Sequence, residues 1–452
     1  MSASAPNKYS LTEGGILSKL LQVALPIMGT QFLQMAYNLT DMFWLGRVGS
    51  DAVAASGAAG MYMWLSMGFL LIGRMGAEIG VSQALGRGDK KAALGFSQNA
   101  MLMALFLGLL YGLCLFIFNR ELAGFYNFRE PNVAGDAAAY LSIVAWAIPA
   151  TFFTAVITGS FNASGNSRTP FIINGIGLAA NVILDPVFIF VLRLEVRGAA
   201  IATVISQLVV AAGMFAGVNW LKGRPFERYP IKIRIEKEKI AMMLKWAVPI
   251  GVESLLFCFL SMVTSRIEAS FGAFAMATGK VGSQIESLSW LIGGGFGSAL
   301  IAFIGQNYGA GKWDRIRRGV RISALLMTAW GIFVTLLLYF AGGFLFSLFL
   351  PDPELVQFGT KYLRILAFCQ LAMNLEAVSA GAFKGTGRTM APSAVSIISN
   401  LIRPFLALIL SRTSLGLYGV WVAVSITAII RGAWISLWYV FRKKAREQST
   451  GQ

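Results

Sequence analysis

Two aspartates lie in apolar surroundings in the first half of the chain, and their chemistry needs an explanation. Asp41 ends the first long apolar run, within AYNLTDMFWLG, and Asp185 lies within NVILDPVFIF. A carboxylate in hydrocarbon costs roughly 2.5–3.5 kcal/mol on membrane-insertion scales unless a proton, a cation or a water-filled cavity compensates it. Both aspartates are therefore candidate functional residues.

Other polar groups accompany the second aspartate. Asn181 precedes Asp185 by four residues, so both side chains lie on one helix face. Pro186 removes a backbone donor and so frees a carbonyl near residue 182. Together with Asp41 and with Thr203 in the next apolar run, these groups form a set of hard oxygen ligands that suits Na⁺. Two facing carboxylates also repel each other, which favours the binding of H⁺. The sequence leaves Na⁺ and H⁺ open as the ion bound there and predicts no cofactor.

The composition is that of a membrane protein with many spanning helices. The 452 residues are 56% hydrophobic and only 13% charged, whereas soluble domains are about a quarter charged. Apolar runs of about 20 residues, long enough to cross a bilayer, recur along the whole chain. The net charge of +17 does not indicate nucleic-acid binding, because the basic residues collect in alternate short loops, as expected for cytoplasmic loops.

The residue types also exclude several kinds of chemistry. The chain has no histidine, which removes His-based triads, HExxH metalloproteases and haem ligation. Its three cysteines, Cys114, Cys258 and Cys369, all fall in apolar runs and form neither a disulfide nor a zinc pattern. No phosphate-binding loop of the GxxxxGK[ST] type is present. We therefore predict a protein that is not an enzyme and does not hydrolyse ATP.

The apolar runs predict an all-α polytopic membrane protein with twelve transmembrane helices. Lysine and arginine are concentrated after the second and eighth spans, in residues 221–239 and in the C-terminal tail, so both termini are predicted to be cytoplasmic. The predicted spans are 16–40, 52–75, 93–118, 134–158, 168–192, 197–220, 240–265, 274–303, 319–348, 356–382, 391–411 and 417–441.

The chain repeats itself at an offset of 222 or 223 residues. The matches pair LPIMGTQFL at Pro26 with VPIGVESLL at Pro249, QALG at 83–86 with QNYG at 306–309, and FNASGNSRTP at 161 with FKGTGRTMAP at 383. Each half holds six spans, so the halves are related by a pseudo-two-fold axis along the membrane normal. We predict two six-helix bundles, 1–220 and 240–452, joined by a basic cytoplasmic linker at 221–239; the second bundle ends in a short basic tail.

Prolines and acidic residues in the spans add further candidates. Pro26 and Pro249 occupy matching places in spans one and seven, and because proline often kinks a membrane helix, Pro26 is a candidate hinge. The second half has no equivalent of the aspartate pair. Glu253 in span seven and Glu376 in span ten remain candidate substrate or proton sites.

Six motifs, in this order and spacing, carry a family resemblance. They are Pro26 with YNLTD ending at Asp41, QALGRGD at 83–89, FNASGNSRTP at 161–170, NVILDP at 181–186, RGAAIAT at 197–203 and IGQNYGAGK at 304–312. With them the sequence resembles the multidrug and toxic compound extrusion (MATE) family over nearly all twelve spans, and it is most like the DinF-like branch among prokaryotic members.

The resemblance implies a secondary active multidrug exporter that expels amphiphilic, often cationic compounds by alternating access, in antiport with H⁺ or Na⁺. It implies a monomer in the cytoplasmic (inner) membrane of a prokaryote, with small drugs and membrane lipids as partners and no nucleic acid. The cation site it implies comprises Asp41, Asn181, Asp185 and Thr203. The substrate cavity and gate comprise Pro26, Tyr37, Asn38 and Tyr140. Glu253 and Glu376 lie about one helical turn from the acidic positions of other branches.

Other classes of protein fit the sequence less well. A flippase for a lipid-linked or lipid-like precursor would line its cavity with arginines, whereas the first half places carboxylates in its spans. A membrane-embedded enzyme needs a nucleophile–base pair or a metal site, and few remain without histidine. A scaffold or channel needs no duplicated six-span plan with a carboxylate pair. We therefore predict the exporter, with the flippase as the alternative.

Overall fold

The computed structural model describes residues 9–126, 131–230, 234–350 and 352–449, and these residues are almost entirely helical. In the first half the helices are α1 (Ile16–Val48), α2 (Ser50–Gly86), α3 (Lys90–Ile117), α4 (Asn119–Gly124), α5 (Pro131–Val144), α6 (Ile148–Ser164), α7 (Arg168–Pro186) and α8 (Glu195–Asn219). In the second half they are α9 (Lys237–Ala269), α10 (Ala273–Gly309), α11 (Trp313–Ser347), α12 (Pro353–Ala367), α13 (Gln370–Gly385), α14 (Met390–Ser411) and α15 (Leu417–Ser449).

The structure has eleven to twelve candidate spans, in line with the predicted plan. Within the described ranges, eleven helical segments are long and apolar enough to cross a membrane, and counting α12 and α13, which are bent by 44°, as one span gives twelve. The fourth span joins α5 to α6 through a 3₁₀ turn at Ala145–Ala147, and Pro149 lies in the first turn of α6. A proline is tolerated there because the N–H groups of a first helical turn have no intrahelical acceptor.

Several helices are longer than the predicted spans. The second span was expected to end at residue 75, but α2 continues to Gly86, and α10 continues to Gly309 rather than 303. The apolar windows mark only the part of each helix that crosses hydrocarbon, and the helices continue into more polar sequence. Residues 231–233 of the predicted linker lie outside the described residues.

The chain divides into two compact units. One runs through Gly251 and also contains Gly305–Lys312, and the other comprises Val252–Ile304 and the chain from Trp313 onward. The division falls inside α9 because the first turns of this helix pack on the first unit; a Cβ at Gly76 would lie 3.1 Å from the Cβ of Met243. The predicted lobes, 1–220 and 240–452, follow the repeat in the sequence, and this division stays a prediction.

Small residues let the helices of the first unit approach closely. α2 packs against α3 and α6, and a Cβ at Gly73 would lie only 2.8 Å from the Cβ of Ala104. A Cβ at Gly80 would lie 2.6 Å from the ring of Phe96. Close packing of this kind is what holds membrane helices together, since lipid tails are as apolar as the helix surfaces.

Aromatic residues fill the core of the second unit. Trp421 is almost fully buried and packs edge-to-face on Tyr362, with ring centroids 5.0 Å apart. The Trp421 indole N–H donates a hydrogen bond of 2.7 Å to Glu268 Oε1. The buried indole therefore keeps a polar partner, as buried tryptophan usually does.

The repeated Gln-x-x-Gly motifs of the two halves contact each other within the first unit. Gly86 of α2 lies against the backbone carbonyl of Gln306, and Gly309 of α10 lies against the carbonyl of Gln83. A Cβ at either glycine would overlap the opposing carbonyl. The two contacts are reciprocal, because the glycine of each motif lies against the glutamine carbonyl of the other.

The N-terminal segment is anchored at this crossing of α2 and α10. Leu11 is fully buried, its N–H donates to Gln306 Oε1 at 2.9 Å, and its carbonyl accepts from Asn307 Nδ2 at 3.1 Å. Gln306 Nε2 also donates to the Ala163 carbonyl at 2.7 Å. Three segments that are far apart in sequence are thus held together on the side that the loop charges predict to be cytoplasmic.

Candidate cation site

The structure brings the acidic residues of the first unit together. Asp41 on α1 interacts electrostatically with Asp185 on α7 and lies beside Asn181. Thr203 on α8 lies next to Tyr37, which follows the same face of α1 as Asp41 four residues earlier. The predicted cation residues therefore form one cluster, while their role stays a prediction. We refer to Asp41, Asn181, Asp185 and Thr203 as the aspartate cluster.

The end of α7 positions the second aspartate. Asn181 and Asp185 are both fully buried, and Asn181 Nδ2 donates to Asp185 Oδ1 at 3.1 Å. The α-helix ends at Pro186, and Val187–Val191 form a π-helical turn. A proline followed by a wider turn is a common way to interrupt the backbone hydrogen bonds next to a functional group.

Two tyrosines lie beside the cluster. Tyr37 and Tyr140 each interact with Asp41, Asp185 and Thr203, and Tyr140 on α5 is buried. Four helices, α1, α5, α7 and α8, thus contribute side chains to one small region. Tyr140 adds a polar group and an aromatic ring from a segment that no local pattern connects to the aspartates.

Several oxygens of the cluster are buried but unpaired. Among the described residues, four cluster oxygens have no hydrogen-bond partner: Asp41 Oδ1, Asn181 Oδ1, Asp185 Oδ2 and Thr203 Oγ1. The same holds for Oη of the adjacent Tyr37. Buried polar atoms are paired in the large majority of cases. A site for a proton or a cation needs unpaired oxygens gathered in one place, and this role of the cluster stays a prediction.

The charges around the pair favour a positively charged ligand. Within the described residues no lysine or arginine is among the groups that act on Asp41 or Asp185. Two carboxylates in a low-dielectric interior repel each other strongly, so one proton or one monovalent cation relieves the repulsion. An all-oxygen donor set fits a hard cation such as Na⁺ and does not suit soft metal ions.

One further residue of this region was not predicted. Ser206 lies three residues after Thr203 on α8, is fully buried, and its Oγ also lacks a hydrogen-bond partner among the described residues. Residues three apart share a helix face. The three-residue spacing from Thr203 is the sequence feature that points to Ser206. Serine alone is a weak indication, because it is common in membrane helices.

The other two predicted cavity and gate residues, Pro26 and Asn38, are not among the groups that act on the two aspartates. Pro26 lies inside a helix that continues unbroken over Ile16–Val48, and its carbonyl accepts a hydrogen bond from Thr30 Oγ1 at 2.9 Å. It is 15 residues from Asp41, about 22 Å along the helix axis at 1.5 Å per residue. Asn38 is exposed on the same helix. A gating role for either residue therefore stays a prediction.

The two candidates in the second unit already have partners. Glu376 Oε2 lies 2.8 Å from Arg431 Nε. Glu253 Oε2 accepts a hydrogen bond of 2.7 Å from Ser393 and lies 3.9 Å from Lys384 Nζ. These carboxylates contrast with the aspartate pair, because the surrounding side chains compensate their charge.

Sequence reasoning missed other charged residues in the helices. Arg403 is buried in the second unit, where its Nε donates to Thr427 Oγ1 at 3.1 Å. Glu78 is fully buried in the first unit, neither of its oxygens is hydrogen-bonded within the described residues, and Arg74 Nε is 3.7 Å away. A lone arginine inside the apolar run NLIRPFLAL is itself a signal, whereas Glu78 lies beyond the predicted end of span two.

The chain is similar to a known protein family, to named relatives and to solved structures. The family model described as MatE matches residues 26–187 and again 249–409. "Probable multidrug resistance protein NorM" of Thermotoga maritima is 26% identical, over 95% of this chain and 93% of the relative. A "FAD transporter" of Shewanella oneidensis is 25% identical, over 97% of both chains. The solved structure described as "Crystal structure of MATE in the bent conformation" superimposes with a TM-score of 0.90 at 19% identity, over 98% of both chains.

These findings define an all-α membrane protein built from two repeated six-span halves. The two matches to the family model begin 223 residues apart, which is the offset of the internal repeat. The chain belongs to the MatE family. The predicted family and fold are thereby confirmed, and the DinF-like branch stays a prediction.

Proposed function

We propose that this protein is a secondary active exporter that expels small amphiphilic, often cationic compounds in exchange for H⁺ or Na⁺. The observation that carries the proposal is the aspartate cluster. There, within the described part of the chain, two carboxylates have no cationic partner and lie beside unpaired oxygens. Relatives named as a multidrug resistance protein and as "Multidrug export protein MepA" of Staphylococcus aureus support the class of cargo.

In the proposed cycle the cation and the cargo bind in alternate states. Arrival of the cation neutralises the Asp41–Asp185 pair, α1 bends at Pro26, and the cargo is released outward. Cargo binding from the cytoplasmic side or the inner leaflet then requires the cation to leave. Such an exchanger must link the two affinities reciprocally.

We also propose that the protein works as a monomer in the cytoplasmic (inner) membrane of a prokaryote, with both termini cytoplasmic. The alternating loop charge supports this orientation. The gradient of the coupling ion supplies the free energy, so the proposed exporter needs neither a cofactor nor a catalytic residue.

Dye efflux from vesicles that contain the full chain tests the proposal. A sodium gradient and a pH gradient are imposed separately on vesicles loaded with ethidium. We expect efflux to follow one of the two gradients. We expect Asp41→Asn and Asp185→Asn to lower it roughly tenfold or more, since a hydrogen bond or contact to a charged group contributes about 1.5–3 kcal/mol.

Asp51→Asn is the matched control, because Asp51 is an exposed carboxylate in the first turn of α2. It should leave efflux unchanged. Gradient-driven efflux that persists in both cluster variants would show that the aspartates do not couple transport.

A second candidate is the transport of an anionic amphiphile, which includes the flippase alternative. One relative is named a FAD transporter, and Arg403 is buried in the second unit without an acidic group in ion-pair contact among the described residues. Binding of an anionic amphiphile, together with no dye efflux under either gradient, would favour this candidate. In that case Arg403→Gln should weaken binding and Asp41→Asn should not.

A further inference from the structure

A groove in the second unit combines an apolar wall with a basic rim. It has a volume of about 420 Å³ and lies between the ends of α9 and α14; its wall includes Val263, Ile267, Phe271 and Leu408, and its rim Arg266 and Arg412. Volumes of this size are typical of sites for small organic ligands. The loop charges predict that these helix ends face away from the cytoplasm.

The two arginines of the rim are available to a ligand. Both are exposed, and within the described part of the chain neither guanidinium forms an ion pair or a hydrogen bond. Glu268, the nearest acidic residue along α9, instead accepts the hydrogen bond from the Trp421 indole. Among the residues that the structure describes, no side chain therefore pairs with the positive charge of the rim.

The chemistry of the groove matches one class of ligand. Guanidinium groups bind phosphate oxygens through directional, charge-assisted hydrogen bonds. The apolar residues and the two arginines line the same groove, so a ligand that fills it needs an anionic head next to an apolar tail. Ser270 and Ser411 also line the groove, and both of their hydroxyls donate to carbonyls of their own helices.

We infer that this groove binds an anionic glycerophospholipid of the outer leaflet. The phosphate lies between Arg266 and Arg412, and an acyl chain lies along the apolar wall. The site belongs to the second unit alone and is separate from the aspartate cluster, so it goes beyond the proposed exchange function.

If Arg266 and Arg412 only stabilised the helix ends, a different result would follow. Arg266 lies in the last turn of α9 and Arg412 directly follows α14, where a positive charge also compensates the negative end of a helix dipole. That effect does not depend on the lipid. The test must therefore compare neutral with anionic lipid.

The experiment uses the full chain in nanodiscs of phosphatidylcholine, with or without phosphatidylglycerol, and native mass spectrometry to count retained lipids. We expect one phosphatidylglycerol to be retained in preference to phosphatidylcholine and to raise the melting temperature.

In Arg266→Gln/Arg412→Gln the preference should fall roughly tenfold for each lost guanidinium. The double variant Arg266→Lys/Arg412→Lys keeps both positive charges and should keep part of the preference for phosphatidylglycerol. Arg197→Gln, an exposed arginine in the first turn of α8, is the control and should change nothing.

Three results would overturn the inference. Equal retention of phosphatidylglycerol by the Gln/Gln variant and the wild type would exclude the groove as the site. Destabilisation of that variant to the same extent in neutral and anionic nanodiscs would assign the arginines to the helix ends only. If millimolar inorganic phosphate displaced the retained phosphatidylglycerol as effectively as added phosphatidylglycerol does, the ligand would be a free anion. Should the Gln/Gln variant not fold, competition on the wild type alone decides between lipid and phosphate.

Discussion

In the proposed exchange, the carboxylates of Asp41 and Asp185 would bind either H⁺ or Na⁺, whereas the neighbouring oxygens would be needed for Na⁺ alone. A proton needs one carboxylate oxygen, whereas Na⁺ needs several oxygens around it. Asn181 Oδ1 and Thr203 Oγ1 are buried and unpaired among the described residues. Substitutions of these two residues should therefore impair transport coupled to Na⁺ but not transport coupled to H⁺.

The Thr203 hydroxyl gives the sharpest residue-level test. If Na⁺ is the coupling ion, Thr203→Val removes one ligand, and Na⁺ affinity should fall roughly tenfold, the equivalent of one lost interaction of about 1.4 kcal/mol. Thr203→Ser keeps the hydroxyl and should retain affinity. Efflux is measured against the sodium concentration at fixed pH. A proton-coupled exporter would show no change in its dependence on pH with either variant.

The ion pair between Glu376 and Arg431 should matter for stability. Both side chains are largely buried, at 15% and 11% exposure. Removal of one partner leaves a buried charge, which typically costs about 3–5 kcal/mol. We expect Glu376→Gln to lower the melting temperature strongly and Glu376→Gln/Arg431→Met to recover part of the loss.

The surface pair of Lys90 and Glu227 is the control for that prediction. Its nitrogen and oxygen are 3.3 Å apart, but the side chains are 74% and 85% exposed. Glu227→Gln should change the free energy of unfolding by less than about 1 kcal/mol. If both carboxylate variants shifted the melting temperature equally, the Glu376 pair would not be a buried structural pair.

At the scale of helices, the crossing of α2 and α10 depends on glycine. Gly86→Ala places a methyl group into the backbone carbonyl of Gln306, and a backbone atom cannot move aside as a side chain can. We expect the variant to lose at least about 1–3 kcal/mol, as overpacked sites do. Thermal unfolding in detergent measures the loss.

Gly60→Ala is the matched control in the same helix, because a Cβ at Gly60 would meet no atom within 4 Å. Alanine is the better helix former by roughly 0.5–1 kcal/mol, so this variant should be neutral or slightly more stable. Equal effects of the two alanines would show that helix propensity, and not the crossing, determines the result.

The N-terminal segment should contribute to stability through one side chain. Leu11 is fully buried, whereas Leu17, at the start of α1, is 44% exposed. Leu11→Ala should cost about 2–5 kcal/mol, as for other buried leucines, and Leu17→Ala much less. A melting temperature that is the same in both variants would contradict the anchoring of this segment at the crossing.

Sequence reasoning worked best where the signal was local. The i,i+4 spacing of Asn181 and Asp185 predicts a shared helix face, and the structure places a hydrogen bond of 3.1 Å between them. Apolar windows predict how many spans there are but not where a helix ends, so α2 reaches eleven residues beyond the expected limit at residue 75. Glu78 was therefore not recognised as a buried residue.

At the scale of the whole molecule, contacts between distant segments were the part that could not be predicted. Leu11 pairs with Gln306, 295 residues away, and no pattern around Leu11 distinguishes it from other leucines of a polar terminus. Tyr140 entered only through the family resemblance, since its position beside Asp41 depends on how α5 packs. The duplication, in contrast, was visible in the sequence, because each half preserves its motifs at a constant offset.

The proposed exchange requires that one cation at the aspartate cluster and the cargo affect each other's binding. The most direct measurement is the dissociation constant of ethidium for the purified full chain as a function of sodium concentration and, separately, of pH. We predict that ethidium binds more weakly as the concentration of one of the two ions rises, because linkage is reciprocal. We also predict that Asp41→Asn removes this dependence. A wild-type dissociation constant that is independent of both ions would contradict the proposed exchange.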